Sequence, residues 1–206
     1  MDEILIAYGQ DGTVIKLCAK EVLLKEIKEY SLKHSDAPFA VGAVHIMLSN
    51  SNGGLYIVKR SSTDDENPGL YCKTVGGHLI GYESFGLAAI RETKEEIDTS
   101  LIVTTIRDYP QVLNLEDTAN NAVVRLIDFQ PWMKSVRKDR DGSSWVKRLR
   151  VTIYAGVYNG PVEFSDGEAE GMKLIDKHKL RGEIRSSPEL FTYDLDQMVE
   201  RYFSYF

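Results

Sequence analysis

The chain of 206 residues predicts an α/β fold in which a mixed sheet carries helices on its faces, with a hairpin and a helix placed ahead of it. Three observations carry this expectation. Two β-prone runs flank a Gln-Asp-Gly turn at the start. A strand, a glycine turn and a carboxylate-rich helical segment occupy the middle. At the end, "DLDQMVERYFSYF" sets Leu195, Met198, Val199, Tyr202 and Phe203 at i, i+3, i+4, i+7 and i+8, the stripe of a helix buried along one side.

Taken in order, "ILIAYGQDGTVIKLC" reads as a hairpin, and "KEVLLKEIKEYSLKH" as a helix with Leu23, Ile27 and Tyr30 inward. "FAVGAVHIML" and "LYIVKR", joined by "SNSNGG", read as two strands around a tight polar turn, and "STDDENPG" as a loop. "LYCKTVGGHLI" then reads as a strand entering a glycine turn. From Glu83 to about Ile97 the spacing predicts a helix whose Leu87, Ile90 and Ile97 pack, with Lys94 snorkelling from that side. "LIVTTIRDYPQVL", "NAVVRLIDF" and "RVTIYAGVY" read as three further strands. One domain over residues 1–206 is expected, with 1–38 as hairpin and helix and 39–206 as a core that ends in the C-terminal helix.

With 43% apolar and 27% charged residues and a formal charge of −6, the composition is that of a globular domain. The charge argues against nucleic acid as a general partner. A small anionic substrate stays compatible with it, because a metal ion reverses the local field. Two cysteines, Cys18 and Cys72, are too few for a disulfide framework and point to a reducing compartment. The longest mostly apolar run, Phe39 to Leu48, is about half the ~20 residues of a spanning helix, and the start of the chain does not look like a secretory signal. A cytoplasmic protein that does not enter a membrane is expected; a homodimer is compatible with the sequence.

"VGGHLIGYESFGLAAIRETKEEI" gathers Glu92, Glu95 and Glu96 at i, i+3 and i+4 beside Arg91. On a helix these carboxylates share a side, taken here as the one opposite Leu87, Ile90 and Ile97. Such a cluster costs stability unless water, Arg91 or a cation screens it, and hard oxygen ligands suit Mg²⁺ or Mn²⁺. Gly77, Glu83, Arg91, Glu92, Glu95 and Glu96 also follow a fixed spacing: Gly, five residues, Glu, seven residues, Arg-Glu, two residues, Glu-Glu. Six such identities arise by chance in on the order of 10⁻⁷ of windows. In this respect the sequence resembles the Nudix hydrolase family, most clearly from Ala40 to Leu101. It departs from the family box at Thr93, where an aliphatic is usual, at Asp98, where a glycine is usual, and at Thr99, where a second aliphatic is usual.

The resemblance implies a Nudix-type α/β/α sandwich and metal-dependent hydrolysis of a phosphoanhydride, in a nucleoside diphosphate linked to another moiety. It implies Glu92, Glu95 and Glu96 as metal ligands, with the Gly77 carbonyl as a further one. Arg91 and Glu83 would orient the carboxylates. The general base is sought among Glu95, Glu92 and a later loop, where Glu168 is preferred to Glu170. Arg60, Trp132 and Trp145 are candidate substrate contacts.

Plainer readings stand beside these. "PWMKSVRKDRDGSSWVKRLR" has seven Lys or Arg from Lys134 to Arg150, for which a solvated hairpin with its tryptophans packed beneath is preferred to base stacking and phosphate contact. His45, inside an apolar strand, reads as a core histidine. Cys72 and the N-terminal extension also resemble the isopentenyl diphosphate isomerase branch of the fold, but that branch carries its cysteine where this chain has Val75 or Gly76. A ligand sensor without turnover is the third alternative. The box retains its carboxylates, which favours hydrolysis.

Overall fold

A computed structural model describes residues 3–162, 164 and 169–206. The N-terminal hairpin is β1 (Ile4–Tyr8) and β2 (Val14–Ala19), followed by α1 (Lys20–His34). Next come β3 (Ala40–Ser49), β4 (Gly54–Arg60), the short β5 (Tyr71–Cys72) and α2 (Phe85–Ile97). Then follow β6 (Ser100–Thr104), α3 (Tyr109–Leu115), β7 (Asn121–Lys138) and β8 (Ser144–Val157). The chain closes with β9 (Ala169–Asp176), α4 (Lys177–Ser186) and α5 (Tyr193–Tyr202). No helix among the described residues is long and apolar enough to cross a membrane.

The sheet is mixed. Its order is β2-β1-β3-β8-β7-β6, with β4 on β3 and both β5 and β9 on β4. β3 runs parallel to β8 over the whole length of β3, from Ala40↔Arg148 to Ser49↔Val157, and β6 runs parallel to β7. Since side chains alternate along a strand, β3 is buried on both faces. Val41, Ala43 and Met47 join a core with α1, α4 and α5, while Val44, Ile46 and Leu48 join a second core under α2. The result is an α/β/α sandwich.

The other edge of β3 is shared by three partners. β1 pairs at Ala7↔Val41 and Tyr8↔Ala40, and β4 pairs only at Ser49↔Leu55. Between them lies the glycine turn: Val44 N–H donates to the Gly77 carbonyl and Ile46 N–H to the Val75 carbonyl, each at 2.9 Å. With those β3 groups taken, β4 turns to β5 and β9 for its ladder, and a cleft opens beside the turn.

Several expectations are corrected. In α1 the inward residues are Leu23, Ile27 and Ser31; Tyr30 is 39% exposed, and the Ser31 hydroxyl accepts from Val146 N–H at 2.6 Å. In α2, Leu87 and Ile90 are 60% and 42% exposed, while Ala88, Ala89, Thr93 and Ile97 are buried, so Lys94 lies in solvent and has nothing to snorkel past. The segment "LIVTTIRDYPQVL" is half strand and half helix, with Pro110 in the first turn of α3, where a missing N–H costs nothing. The basic segment, as its plainer reading had it, forms a hairpin: it is the far end of the long β7–β8 pair, closed by a turn at Asp139–Ser143. α4, rich in charge, carries a weak apolar stripe of Leu180 and Ile184 and was not expected from the sequence.

Candidate active site

The glycine turn and α2 place the box residues around one cleft of about 790 Å³. Ser84 caps the helix, its hydroxyl accepting from Leu87 N–H at 3.3 Å, which fixes where the turn ends and the carboxylates begin. At about 100° per residue, Glu92 and Glu96 fall between the directions of Ala88 and Ala89. They therefore lie on the inward side of α2, between buried alanines, and not opposite the packed side as the spacing of Leu87 and Ile90 suggested.

Arg91 is the hub. Its Nε donates to Glu83 Oε1 at 3.1 Å and its Nη2 to Glu83 Oε2 at 2.9 Å, a bidentate pair. Nη2 also donates to the His78 carbonyl at 2.9 Å, and Nη1 to Glu92 Oε1 at 2.8 Å and Glu95 Oε2 at 3.0 Å. All five guanidinium donors are thus used. Glu83 Oε2 further accepts from Ile80 N–H at 3.2 Å, and Glu96 Oε1 from Gly76 N–H at 3.1 Å. Burial pushes the Glu92 carboxyl up, against the pull of Arg91. Burial would lower Arg91, but its bonds to Glu83 and Glu92 outweigh that and raise it.

Gly77 is required by contact. A Cβ there would collide with the Glu92 carboxylate, so only a glycine lets that side chain lie against the turn. The Gly77 carbonyl spends one lone pair on Val44 N–H. Among the described residues no three acidic, histidine or cysteine side chains converge into a ready-made metal cage; Arg91 lies between Glu92 and Glu95. The donor set nevertheless fits a hard divalent cation. Glu83, Glu92, Glu95 and Glu96 carry four negative charges against the single charge of Arg91, and Glu92, Glu95 and Glu96 line the same cleft.

Other expected residues are distributed unevenly. Arg60 lines the cleft, ion-paired to Asp64 at 2.7 Å. Trp132 and Trp145 do not: Trp145 is buried in the core with its Nε1 donating to Asp139 Oδ1 at 3.1 Å, and Trp132 is half-buried on β7. Trp145 shares the inward face of the hairpin with Arg137 and Lys147, but it packs into the core beyond the cleft lining. Glu168 lies outside the described residues. Glu170 is exposed and accepts from Ser62 N–H at 2.6 Å, away from the cleft lining.

The period of two along β7 and β8 sorts the basic segment. Arg137 and Lys147 face inward and line the cleft, whereas Arg148 faces Asp36 at 2.7 Å. Lys147 is 1% exposed and donates to both Glu66 oxygens, at 3.1 and 3.3 Å. Burial pushes its ammonium down to about 8 in spite of Glu66. Burial would raise Glu66, but Lys147 and Arg137 outweigh it and hold the carboxyl at about 2. His45, on the same side of β3 as Ala43 and Met47, also lines the cleft, with Nε2 3.7 Å from Asp194 Oδ2; burial holds it well below its usual range and hence neutral. No local pattern in the sequence singles out this inner cluster, since Arg137-Lys138 and Lys147-Arg148 are adjacent pairs with one cation on each face.

A family model for the NUDIX domain matches residues 38–194, most of the chain. The chain belongs to the Nudix family. Its fold is shared by the Deinococcus radiodurans protein DR0079, with a TM-score of 0.67 and 17% identity over 97% of this chain and 98% of that one. The MutT protein of Methanosarcina mazei Go1 superposes with a TM-score of 0.53 and 16% identity, over 79% of this chain and 92% of that one. At these identities the likeness to the solved structures is one of Nudix fold. No curated protein matches the sequence.

Proposed function

We propose that this Nudix protein hydrolyses a phosphoanhydride bond in a small diphosphate compound with the help of a divalent cation, Mg²⁺ or Mn²⁺. The observation that carries the reading is the Arg91 network, which holds Glu83, Glu92 and Glu95 in fixed relation beside Glu96 on one cleft. Glu92, Glu95 and Glu96 would hold the ion, with the second lone pair of the Gly77 carbonyl as a further donor. Such an ion supplies neutralisation of the diphosphate charge and a lowered pKa for attacking water. Arg91 and Glu83 would keep the carboxylates oriented, and Arg60, which lines the cleft, would meet the substrate. Glu168 stays the preferred loop base, while Glu170 is engaged with Ser62.

The test uses thermal melts in EDTA and in Mg²⁺ together with product-identified hydrolysis of diphosphate compounds. Binding of Mg²⁺ to the folded state alone returns about 2.7 kcal/mol at a hundredfold excess over Kd. Glu95→Gln and Glu96→Gln are expected to melt like wild type or slightly higher in EDTA, and to lose most of the Mg²⁺-dependent rise and nearly all turnover. Equal Mg²⁺ shifts in the three proteins, with turnover retained, overturn the assignment.

Isomerase chemistry at Cys72 is disfavoured by its setting. The Cys72 Sγ contacts the Lys73 carbonyl at 3.4 Å, burial pushes the thiol up, and the side chain lines a small adjoining recess but not the main cleft. Cys72→Ser should leave turnover within about threefold. A loss of ~10³ accompanied by isomerisation of an isoprenyl diphosphate reverses the ranking.

A further inference from the structure

The cleft beside the glutamates also has a cationic part, built by other elements. β7 and β8 bring Arg137 and Lys147 into it, and Lys73 enters from the segment between β5 and the glycine turn. Arg137 Nη2 lies 3.1 Å from Asp194 Oδ2 and its buried Nε 3.5 Å from Glu66 Oε2, too poorly aligned for a hydrogen bond, and His45 Nδ1 is buried without a hydrogen-bond partner among the described residues.

Lys73 is the most telling of the cations. Its Cε and Nζ lie over Gly76, where a Cβ would meet them and the Val44 carbonyl, so the glycine leaves room for the ammonium beside the turn. Every other Lys or Arg lining the cleft has a carboxylate within ion-pair distance. Lys73 has none among the described residues, although its charge is felt at both His45 and Asp194. An ammonium has three donors and no acceptor, and its strong bonds go to anionic oxygen.

Aromatic platforms are lacking at the same place. Apart from His45 and His78, no aromatic side chain among the described residues lines the cleft; Phe164 lines the adjoining recess and packs against the core under α2. A base held by stacking would need such a face.

We propose that Lys73, backed by Arg137 and Lys147, is a second anion subsite, and that the substrate is a compact diphosphate carrying a further anionic group, not a nucleotide recognised by its base. The substrate class rests on the hydrolase reading above; the subsite itself does not. Charge-assisted bonds from Lys73 hold the further anion while the diphosphate lies at the glutamates, so the two ends of the molecule fix its register.

Two measurements separate these parts. In EDTA, inorganic phosphate is titrated calorimetrically into wild type, Lys73→Met, Lys73→Arg, and Lys94→Met as a charge control on the solvent side of α2. Lys73→Met should weaken binding about tenfold or more, with Lys73→Arg and Lys94→Met close to wild type. Unchanged affinity in Lys73→Met, or an equal loss in Lys94→Met, overturns the subsite whether or not the protein hydrolyses anything. In Mg²⁺, kcat/KM is compared for 5-phosphoribosyl 1-diphosphate, dimethylallyl diphosphate and UDP-glucose. The first should be preferred by about tenfold or more, and Lys73→Met should abolish that preference. A preference for UDP-glucose, or a Lys73→Met loss equal for all three, overturns the substrate class.

Discussion

Arg91 does what no other residue type could do at its position. A planar fork with five donors reaches Glu83 bidentately, the His78 carbonyl, Glu92 and Glu95 at once, from 2.8 to 3.1 Å. A lysine would keep the charge and lose the geometry. Arg91→Lys is therefore expected to leave the fold intact and to cost roughly 10–100-fold in Mg²⁺ affinity or turnover. Titration of activity with Mg²⁺ reads it; an unchanged half-saturation point and kcat would reduce Arg91 to a surface ion pair. Thr93 shows the opposite case, a departure from the family box that costs little. It is fully buried, where an aliphatic belongs, and its hydroxyl donates to the Ala89 carbonyl at 2.7 Å, so the polar atom is satisfied inside the helix.

At the scale of elements, α2 explains both what was legible in the sequence and what was not. Its presence was readable because the spacing of Arg91, Glu92, Glu95 and Glu96 demands a helix, whose start at Phe85, after the Ser84 cap, lies two residues beyond the expected Glu83. Its buried side was misread because the largest apolar residues, Leu87 and Ile90, are exposed while two alanines and a threonine pack. Small residues let a helix approach the sheet closely, and hydrophobic periodicity weighs bulk, not closeness. The inner cations of the hairpin were hidden for a related reason: Arg137 and Lys147 are buried beside carboxylates distant in sequence, Glu66 and Asp194, which no local pattern announces. The end of α2 carries its own prediction. Asp98 takes the left-handed C-cap conformation, φ 48° and ψ 36°, where the family box has glycine. Its exposed pair with Lys94 contributes little in water, whereas the conformation costs an L-residue about 1 kcal/mol. Asp98→Gly should raise stability by about 0.5–1 kcal/mol in urea denaturation and leave turnover unchanged; a loss of stability would show that the aspartate side chain holds the cap.

For the whole molecule, the decisive feature is that β3 divides one edge among β1, the glycine turn and β4, so that a cleft with acidic and basic parts opens inside the sandwich. Burying charge there needs compensation, and Glu66 provides much of it by bridging Lys147, at 3.1 Å, and Arg137, at 3.5 Å. Its carboxyl is held at about 2, against a reference value of 4.5. Between those values the unfolded chain binds a proton that the folded one refuses, so stability rises with pH through that window. The contribution of Glu66 is fully present above pH ~4.5 and is lost as pH falls toward ~2. Glu66→Gln removes it and leaves two buried cations short of a partner, a change that typically costs about 3–5 kcal/mol. Because the Glu66 side chain is about a quarter exposed, the lower end of that range applies. Urea denaturation of wild type and Glu66→Gln at a series of pH values should give curves separated by about 3 kcal/mol at pH 7 that converge as the solution is acidified below pH ~4.5, where wild type alone loses this term. Curves that coincide at pH 7 would mean that the Glu66 bridge contributes nothing to the fold, and curves that stay separated and parallel down to pH ~2 that its contribution does not come from the ionised carboxylate.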